Sequence, residues 1–402
     1  MKKLAINGGT PLTTKKFPRW PCYDKREIDA LTGVIQSGEI SEVMMSTYTK
    51  TINQFEEKFA AYLGAKYGIC TTNGSVTIEM SLKAAGIGHG DEVIVTPTTF
   101  AAPAISALQV GAKPVFVDID PDSDCMDPDM VQGAITDKTS AIIPVHLGGH
   151  PCDMDRIMAI AKKHNLIVIE DCAQAHGGKW KDKRLGSIGD MGSFSFQRSK
   201  MMTSIEGGAI TTSNEDLREK CYALTHYGNG PGEDGKCKFN ILGFNHRITE
   251  FQAAVLLVQL EKIEVHAQTR LDNARYLTSR LSKIEGIRTP PDCPGRAYYS
   301  YCIKYVPEAF GGIAVTTLID ALKAEGIYDC FGVNIPNYAD PIFVTDMDYS
   351  EVFCPVAEKA HREGMVLSWN MLMGPRKDMD LIADAVAKVK DNVAELVERE
   401  RA

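Results

Sequence analysis

Between Tyr67 and Thr212 short apolar runs rich in β-branched residues alternate with segments whose apolar positions recur at helical spacing. The short runs are Tyr67–Thr72, Glu92–Thr96, Pro114–Ile119, Ala141–Leu147, Leu166–Ile169, Gly192–Phe196 and Ala209–Thr212. The helical stretches between them are Thr77–Ala85, Ala101–Leu108, Asp127–Gly133 and Met154–His164. This alternation predicts an α/β protein with a mainly parallel sheet and helices on both faces. Sheets of that kind bind ligands beyond the C-terminal ends of their strands. Upstream, Lys25–Ile35 and Thr51–Leu63 also have helical spacing, whereas Met1–Asp24 carries Pro11, Pro18 and Pro21 without a period and reads as an arm over a surface. Downstream, Ile248–Ile284 reads as one long helix of the kind that joins lobes. A break at Pro290, Pro291 and Pro294 precedes a strand at Tyr298–Tyr305 and helices near Val315–Glu325 and Asp378–Val397. This last part is expected to be a small α+β domain. The expected division is an arm over 1–25, a large domain over 26–265 and a small C-terminal domain over 266–402.

Composition narrows the classes. The 402 residues are 24% charged with a net charge of −8, so a domain built to follow a phosphate backbone is not expected, and neither is a nucleic-acid partner. No apolar run approaches the ~18 residues of a membrane span. The first residues break into Gly8 and Gly9 too soon for a secretory signal, which points to the cytoplasm. The 11 cysteines are scattered, with no CxxC pair, and fit reduced thiols rather than a zinc site. No metal centre is expected.

Several motif-like runs lack the context their chemistry needs. Gly230-Pro231-Gly232-Glu233-Asp234-Gly235 spells GxGxxG, but it holds a proline and opens no helix. Cys237 follows Lys236 where a phosphate-binding loop needs Ser or Thr. The aspartates Asp118, Asp120, Asp122 and Asp124 lack the glycine and final glutamate of a calcium loop.

Four segments place reactive groups at strand ends. Thr71–Thr77 ends a strand and opens a helix that Asn73 or Ser75 can cap, and Gly74 with free amides at a helix start suits an anion. Ile167–Asp171 is an apolar strand ending in Glu170 and Asp171; a buried carboxylate there needs a cation, whether an ordinary ion pair or a protonated pyridine nitrogen. Gly192–Phe196 alternates small polar with aromatic residues and leads to Lys200, either a surface charge or an imine-forming amine. Phe100 stands just past another strand, as core or as a stacking face. Taken together they supply what pyridoxal 5'-phosphate (PLP) requires of a protein.

At these residues the chain resembles the PLP-dependent sugar and cyclitol aminotransferases of the DegT/DnrJ/StrS family. The resemblance runs nearly end to end: Ile6–Pro11, the loop at Gly74, Val145-His146-Leu147, Ile169–Gly177, Ser193–Phe196 with Lys200 and Glu206-Gly207-Gly208, and Gly243–Ala254. It implies the PLP-dependent transferase fold type I, with 26–265 as the PLP-binding domain. By residue, it implies that Lys200 carries PLP as an imine and moves the substrate proton, and that Asp171 keeps the pyridine nitrogen protonated. Gln174 is implied to bond the ring hydroxyl and Phe100 to stack on the ring. Gly74, Ser75, Val76 and Ser195 are implied to hold the phosphate, with Asn245 reaching the phosphate of a neighbouring subunit, so that the active unit is a homodimer. The reaction implied moves an amino group from glutamine or glutamate to a keto-cyclitol or keto-sugar through a Lys200 aldimine and pyridoxamine phosphate. A dehydratase resembling 3-amino-5-hydroxybenzoate synthase and a non-catalytic PLP-binding regulator are the rivals. The segments Asn7–Pro11, Gln197 and Met201-Met202-Thr203 look more like the cyclitol enzymes than the nucleotide-sugar ones. Two departures stand out: Ile205 where the family usually has glycine, and Asn370, beside Trp369, where many relatives have histidine in the substrate wall.

Overall fold

The computed structural model describes residues 3–38, 50–231, 237–346 and 348–401. In chain order its strands are β1 (Tyr67–Thr71), β2 (Glu92–Val95), β3 (Lys113–Phe116), β4 (Thr139–Ile143), β5 (Ile167–Asp171), the hairpin β6 (Lys179–Trp180) and β7 (Lys183–Arg184), β8 (Met191–Ser195), β9 (Gly208–Thr212), the ribbon β10 (Asn229–Pro231) and β11 (Cys237–Phe239), and then β12 (Ile287–Arg288), β13 (Tyr301–Tyr305), β14 (Cys330–Gly332) and β15 (Gly364–Leu367). Seven of them form one sheet in the order β1-β9-β8-β5-β4-β2-β3. Only β9 runs against its neighbours; the remaining pairs are parallel.

Period two sorts the strand side chains onto two faces. Val95, Ile143, Ile169 and Ile210 join one buried cluster, whereas Ile94, Ile142 and Val168 join another on the opposite face. Both faces are covered, which is why these strands read as continuous apolar runs. The alternation Ser193-Phe194-Ser195-Phe196 has the same origin. Phe194 and Phe196 pack edge-on against Phe59 of the helix Lys50–Leu63, at 4.9 and 5.6 Å between ring centroids. Ser193 turns the other way and bonds Thr77 at 2.6 Å.

The second sheet is antiparallel, β12-β13-β15-β14. The helix Glu250–Leu281 spans both lobes: Ala253, Leu256 and Ile263 sit in the core beside the large sheet, Ala274, Leu277 and Leu281 in that of the small one. The expected boundary at 265/266 therefore falls inside a continuous helix. The expected unit 266–402 is not packed as one body either. Tyr338, Phe343, Tyr349 and Ala360 return to the core of the large sheet, with Phe116 edge-on to Tyr338, Phe343 and Tyr349. The arm crosses in the other direction. Leu4 and Phe17 are buried with the small sheet, and the amides of Ala5 and Leu12 donate to Glu325 at 2.9 and 2.8 Å. No helix among the described residues is long and apolar enough to cross a membrane.

Candidate active site

A cavity of about 860 Å³ opens at the C-terminal ends of β1, β2, β5 and β8 and is closed by residues of the small sheet. Gly74, Ser75, Val76, Phe100, Asp171, Gln174, Ser195 and Lys200 all line it; Asn245 does not.

The paired carboxylates at the end of β5 separate by strand geometry. Glu170 points away from the cavity and accepts from the amides of Gly186, Ile188 and Gly189 at 2.9, 2.7 and 2.8 Å. His146 stands 3.2 Å from it through Nε2, while its Nδ1 accepts from the amide of Cys152, so Nε2 carries the proton and donates. His146, Glu170 and Cys172 lie close enough together to suggest a metal triad, but the carboxylate and imidazole are already engaged by these partners. Asp171 faces the cavity. Only Oδ1 has a partner among the described residues, the amide of Ala173 at 3.0 Å. Burial raises the Asp171 carboxyl above its ordinary range, against the pull of the Ala173 amide, Lys200 and His146.

Lys200 ends a tight turn after β8, its amide donating to the carbonyl of Gln197 at 2.8 Å. Trp20 of the arm donates to the Lys200 carbonyl at 3.1 Å. The amine lies 5.0 Å from the centroid of the Tyr299 ring. Burial lowers its pKa and the Asp171 charge opposes the shift, which favours the neutral, nucleophilic form. Ile205, in the turn that follows, takes the left-handed conformation (φ 74°) that suits glycine. Its carbonyl still accepts from the amide of Arg198 at 2.8 Å, so the turn is kept despite the substitution.

Of the two candidate caps, Asn73 is the one used. Its Oδ1 accepts from the amides of Ser75 and Val76 at 3.1 and 3.0 Å. Those two amides thus already have an acceptor; Ser75 and Ser195, whose hydroxyls can donate to an anion, line the cavity at this end. Gly74 is needed sterically: a Cβ there would lie 2.6 Å from the Cβ of Ser195. Gln174 accepts from the amide of Gly148 at 2.8 Å, which turns its amide nitrogen toward other acceptors. Phe100 is 70% exposed, an uncovered aromatic face in the cavity wall.

Two wall residues were not found from the sequence, Arg296 and Tyr299. With Trp369, which the sequence did put in the wall, they come from the small lobe. Tyr299 stacks on Trp369 with 5.9 Å between centroids and bonds the Ser199 hydroxyl at 3.1 Å. The cluster Arg296–Tyr301 was the available signal, but its residue types do not distinguish wall from core. Asn370 departs from expectation. Its amide donates to the Pro18 carbonyl and to Asp329, at 3.0 and 2.9 Å, so it braces the arm instead of facing the cavity. His176, buried against Phe194 and Phe196, is held neutral, its pKa pushed down to about 3 by burial first and then by Lys200. Residues 232–236, which include most of the GxGxxG run and Lys236, lie outside the described residues.

A buried carboxyl with one open oxygen, a lysine poised toward neutrality, a tight glycine cradle and an exposed aromatic face fit PLP. Comparison with known proteins agrees. Residues 21–387 match the model of the DegT/DnrJ/EryC1/StrS aminotransferase family. A putative L-glutamine:3-amino-2,3-dideoxy-scyllo-inosose aminotransferase of Streptoalloteichus tenebrarius is 37% identical, with 97% of this chain and 98% of that protein covered. The L-glutamine:2-deoxy-scyllo-inosose aminotransferase of the same organism is 35% identical, covering 98% of this chain and 99% of its own. Among solved structures, the aminotransferase from Psychrobacter cryohalolentis superposes with a TM-score of 0.87 at 32% identity, over 94% of this chain and all of the other. 3-Amino-5-hydroxybenzoic acid synthase superposes with a TM-score of 0.83 at 28% identity, over the same shares. With a site that fits PLP and a match over nearly its whole length, the chain belongs to the DegT/DnrJ/EryC1/StrS family of PLP-dependent aminotransferases.

Proposed function

We propose that this aminotransferase takes the amino group of glutamine or glutamate and delivers it to a keto-cyclitol. The observation that carries the reading is the match, over 97–98% of the chain, to enzymes named for glutamine and scyllo-inosose-type acceptors. PLP, when bound, supplies an aldehyde to capture the amine and a pyridine ring to draw electrons from the substrate carbon. Lys200 would hold the cofactor through Nζ and, once the donor amine has displaced it, its free amine would carry the proton from the donor's α-carbon. Asp171 keeps a proton on the pyridine nitrogen through its open oxygen. Gln174 orients the ring hydroxyl and Phe100 covers a ring face. Gly74, Ser75, Val76 and Ser195 would surround the phosphate, the hydroxyls of Ser75 and Ser195 bonding it, and the helix start adds a favourable dipole.

Asn245 completes the site of a second copy in this reading. It is exposed and lies beside Leu242 and Phe244, which are 91% and 65% exposed, an apolar surface suited to a homodimer contact. A cytoplasmic location accords with cysteines that are all free among the described residues.

The test is spectroscopic. Glutamine should remove the absorbance of bound PLP, and scyllo-inosose should restore it faster than a nucleotide-linked keto-sugar. The reverse order would overturn the cyclitol assignment. Water loss from the substrate without any amino transfer would favour the dehydratase instead, and no response to any amino donor would favour a regulator.

A further inference from the structure

Among the described residues that line the cavity only two are basic, Lys200 and Arg296. Arg296 is 94% buried by its 6% exposure. The centre of its guanidinium lies 4.7 Å from the centroid of the Tyr298 ring, which holds the plane of the group. Its Nε is sealed from solvent and donates to no acceptor among the described residues. The acid that feels its charge, Asp124, is engaged by Lys304 at 2.5 Å. A buried cation without a counter-charge is costly. An oriented guanidinium of this kind matches a planar two-oxygen anion through parallel N–H bonds.

The surroundings say where that anion would sit. A Cβ on Gly148 would lie 3.1 Å from the Ser300 hydroxyl and 3.4 Å from a terminal nitrogen of Arg296. Gly148 also donates its amide to Gln174. Arg296 and Ser300 therefore meet over the bare face of Gly148, and all three line the cavity together with Gln174. Ser195, in the phosphate cradle, ends β8, whereas Gly148 follows β4, two strands away across β5. At ordinary strand spacing that is about 10 Å. The arginine thus stands on the far side of Asp171 from the phosphate cradle.

We propose that Arg296 anchors the α-carboxylate of the amino donor, with Ser300 as a second contact. The inference rests on the aminotransferase reading: the amino acid brings a carboxylate and a cyclitol brings none. The 2-oxo acid product keeps the same group and is held in the same place. A sugar diphosphate is a poorer occupant, because its roughly two charges need more basic groups than this one arginine.

The experiment compares L-glutamine with its α-carboxamide by absorbance titration of the holoenzyme. Wild-type protein should prefer glutamine by on the order of 100-fold, the effect of a charged hydrogen-bonded pair. R296Q should lose that preference, and R296K, which keeps the charge without the fork, should retain part of it. Calorimetric titration of cofactor-free protein with glutarate gives a second readout, with binding in wild type and none in R296Q. The wild-type comparison and the R296K variant decide the matter if R296Q does not fold. Equal affinity of wild type for acid and amide, or an unchanged preference in R296Q, would overturn the proposal. So would nucleoside diphosphate binding that R296Q abolishes. A wild-type PLP band that no amino acid alters would defeat the aminotransferase reading instead, while the glutarate titration would still test the arginine.

Discussion

The floor and the wall of the cavity are built by opposite means. On the floor, the polar groups of Asn73 and Glu170 are satisfied by amides no more than 19 residues away along the chain. Asn73 caps amides two and three residues on, and Glu170 collects amides from the loop Gly186–Gly189. In the wall, the partners are distant. Trp20 bonds the carbonyl of Lys200, Asn370 bonds that of Pro18, and Arg270, fully buried with its pKa pushed down to about 10 by burial, bonds that of Trp369. The floor is set by local backbone geometry, the wall by how the arm, the long helix and the small sheet converge. Chemistry common to PLP enzymes falls on the floor, and the groups that would choose a substrate fall on the wall.

The comparison breaks first at Lys200. Lys200→Ala should abolish turnover, since no other amine lines the cavity among the described residues, and borohydride reduction of the wild-type holoenzyme should fix the cofactor on Lys200 by peptide mapping. An adduct on another lysine would remove it from the centre of the floor. Next is Asp171→Asn, which should still bind PLP but slow removal of the α-proton by roughly three orders of magnitude, read by stopped-flow absorbance. A near-normal rate would make Asp171 structural, like Glu170.

Asn370→Ala addresses the wall. Losing its bonds to Pro18 and Asp329 should cost about 1–2 kcal/mol of stability in chemical denaturation, with the order of preferred acceptors unchanged. A changed order of acceptors would return Asn370 to the substrate wall. A pH effect is expected at Glu56, which accepts from the amide of Cys70 in β1 and whose carboxyl is raised from 4.5 to about 8, by burial first. The folded protein keeps that proton across a range where the unfolded chain has lost it. Stability should therefore fall as pH rises from about 4.5 to about 8. Glu56→Gln should flatten the fall in melting temperature between pH 6 and 9; an unchanged slope would show that another group is responsible.

The large sheet was readable because its period is local. Strands buried on both faces give apolar runs, and their ends announced Asn73, Phe100, Asp171 and Lys200 by residue type. Asn73 or Ser75 as cap, and Glu170 or Asp171 as the cavity acid, were choices the residue pattern left open, although the family resemblance pointed to Asp171. Strand direction decided the second and side-chain reach the first. Arg296 and Tyr299 were not legible, since an arginine and a run of tyrosines after a proline-rich break carry no period that says what they face.

The sequence by itself thus determined the α/β rhythm, the residues at the strand ends and, through them, the family and its cofactor. Those depend on side-chain alternation and on turns a few residues long. Only the tertiary structure decided that Asn370 braces the arm, that residues near Tyr338 return to the large core, and that an unpaired guanidinium faces Gly148. These are meetings of segments far apart in the chain, fixed by which apolar faces pack together rather than by any local spacing.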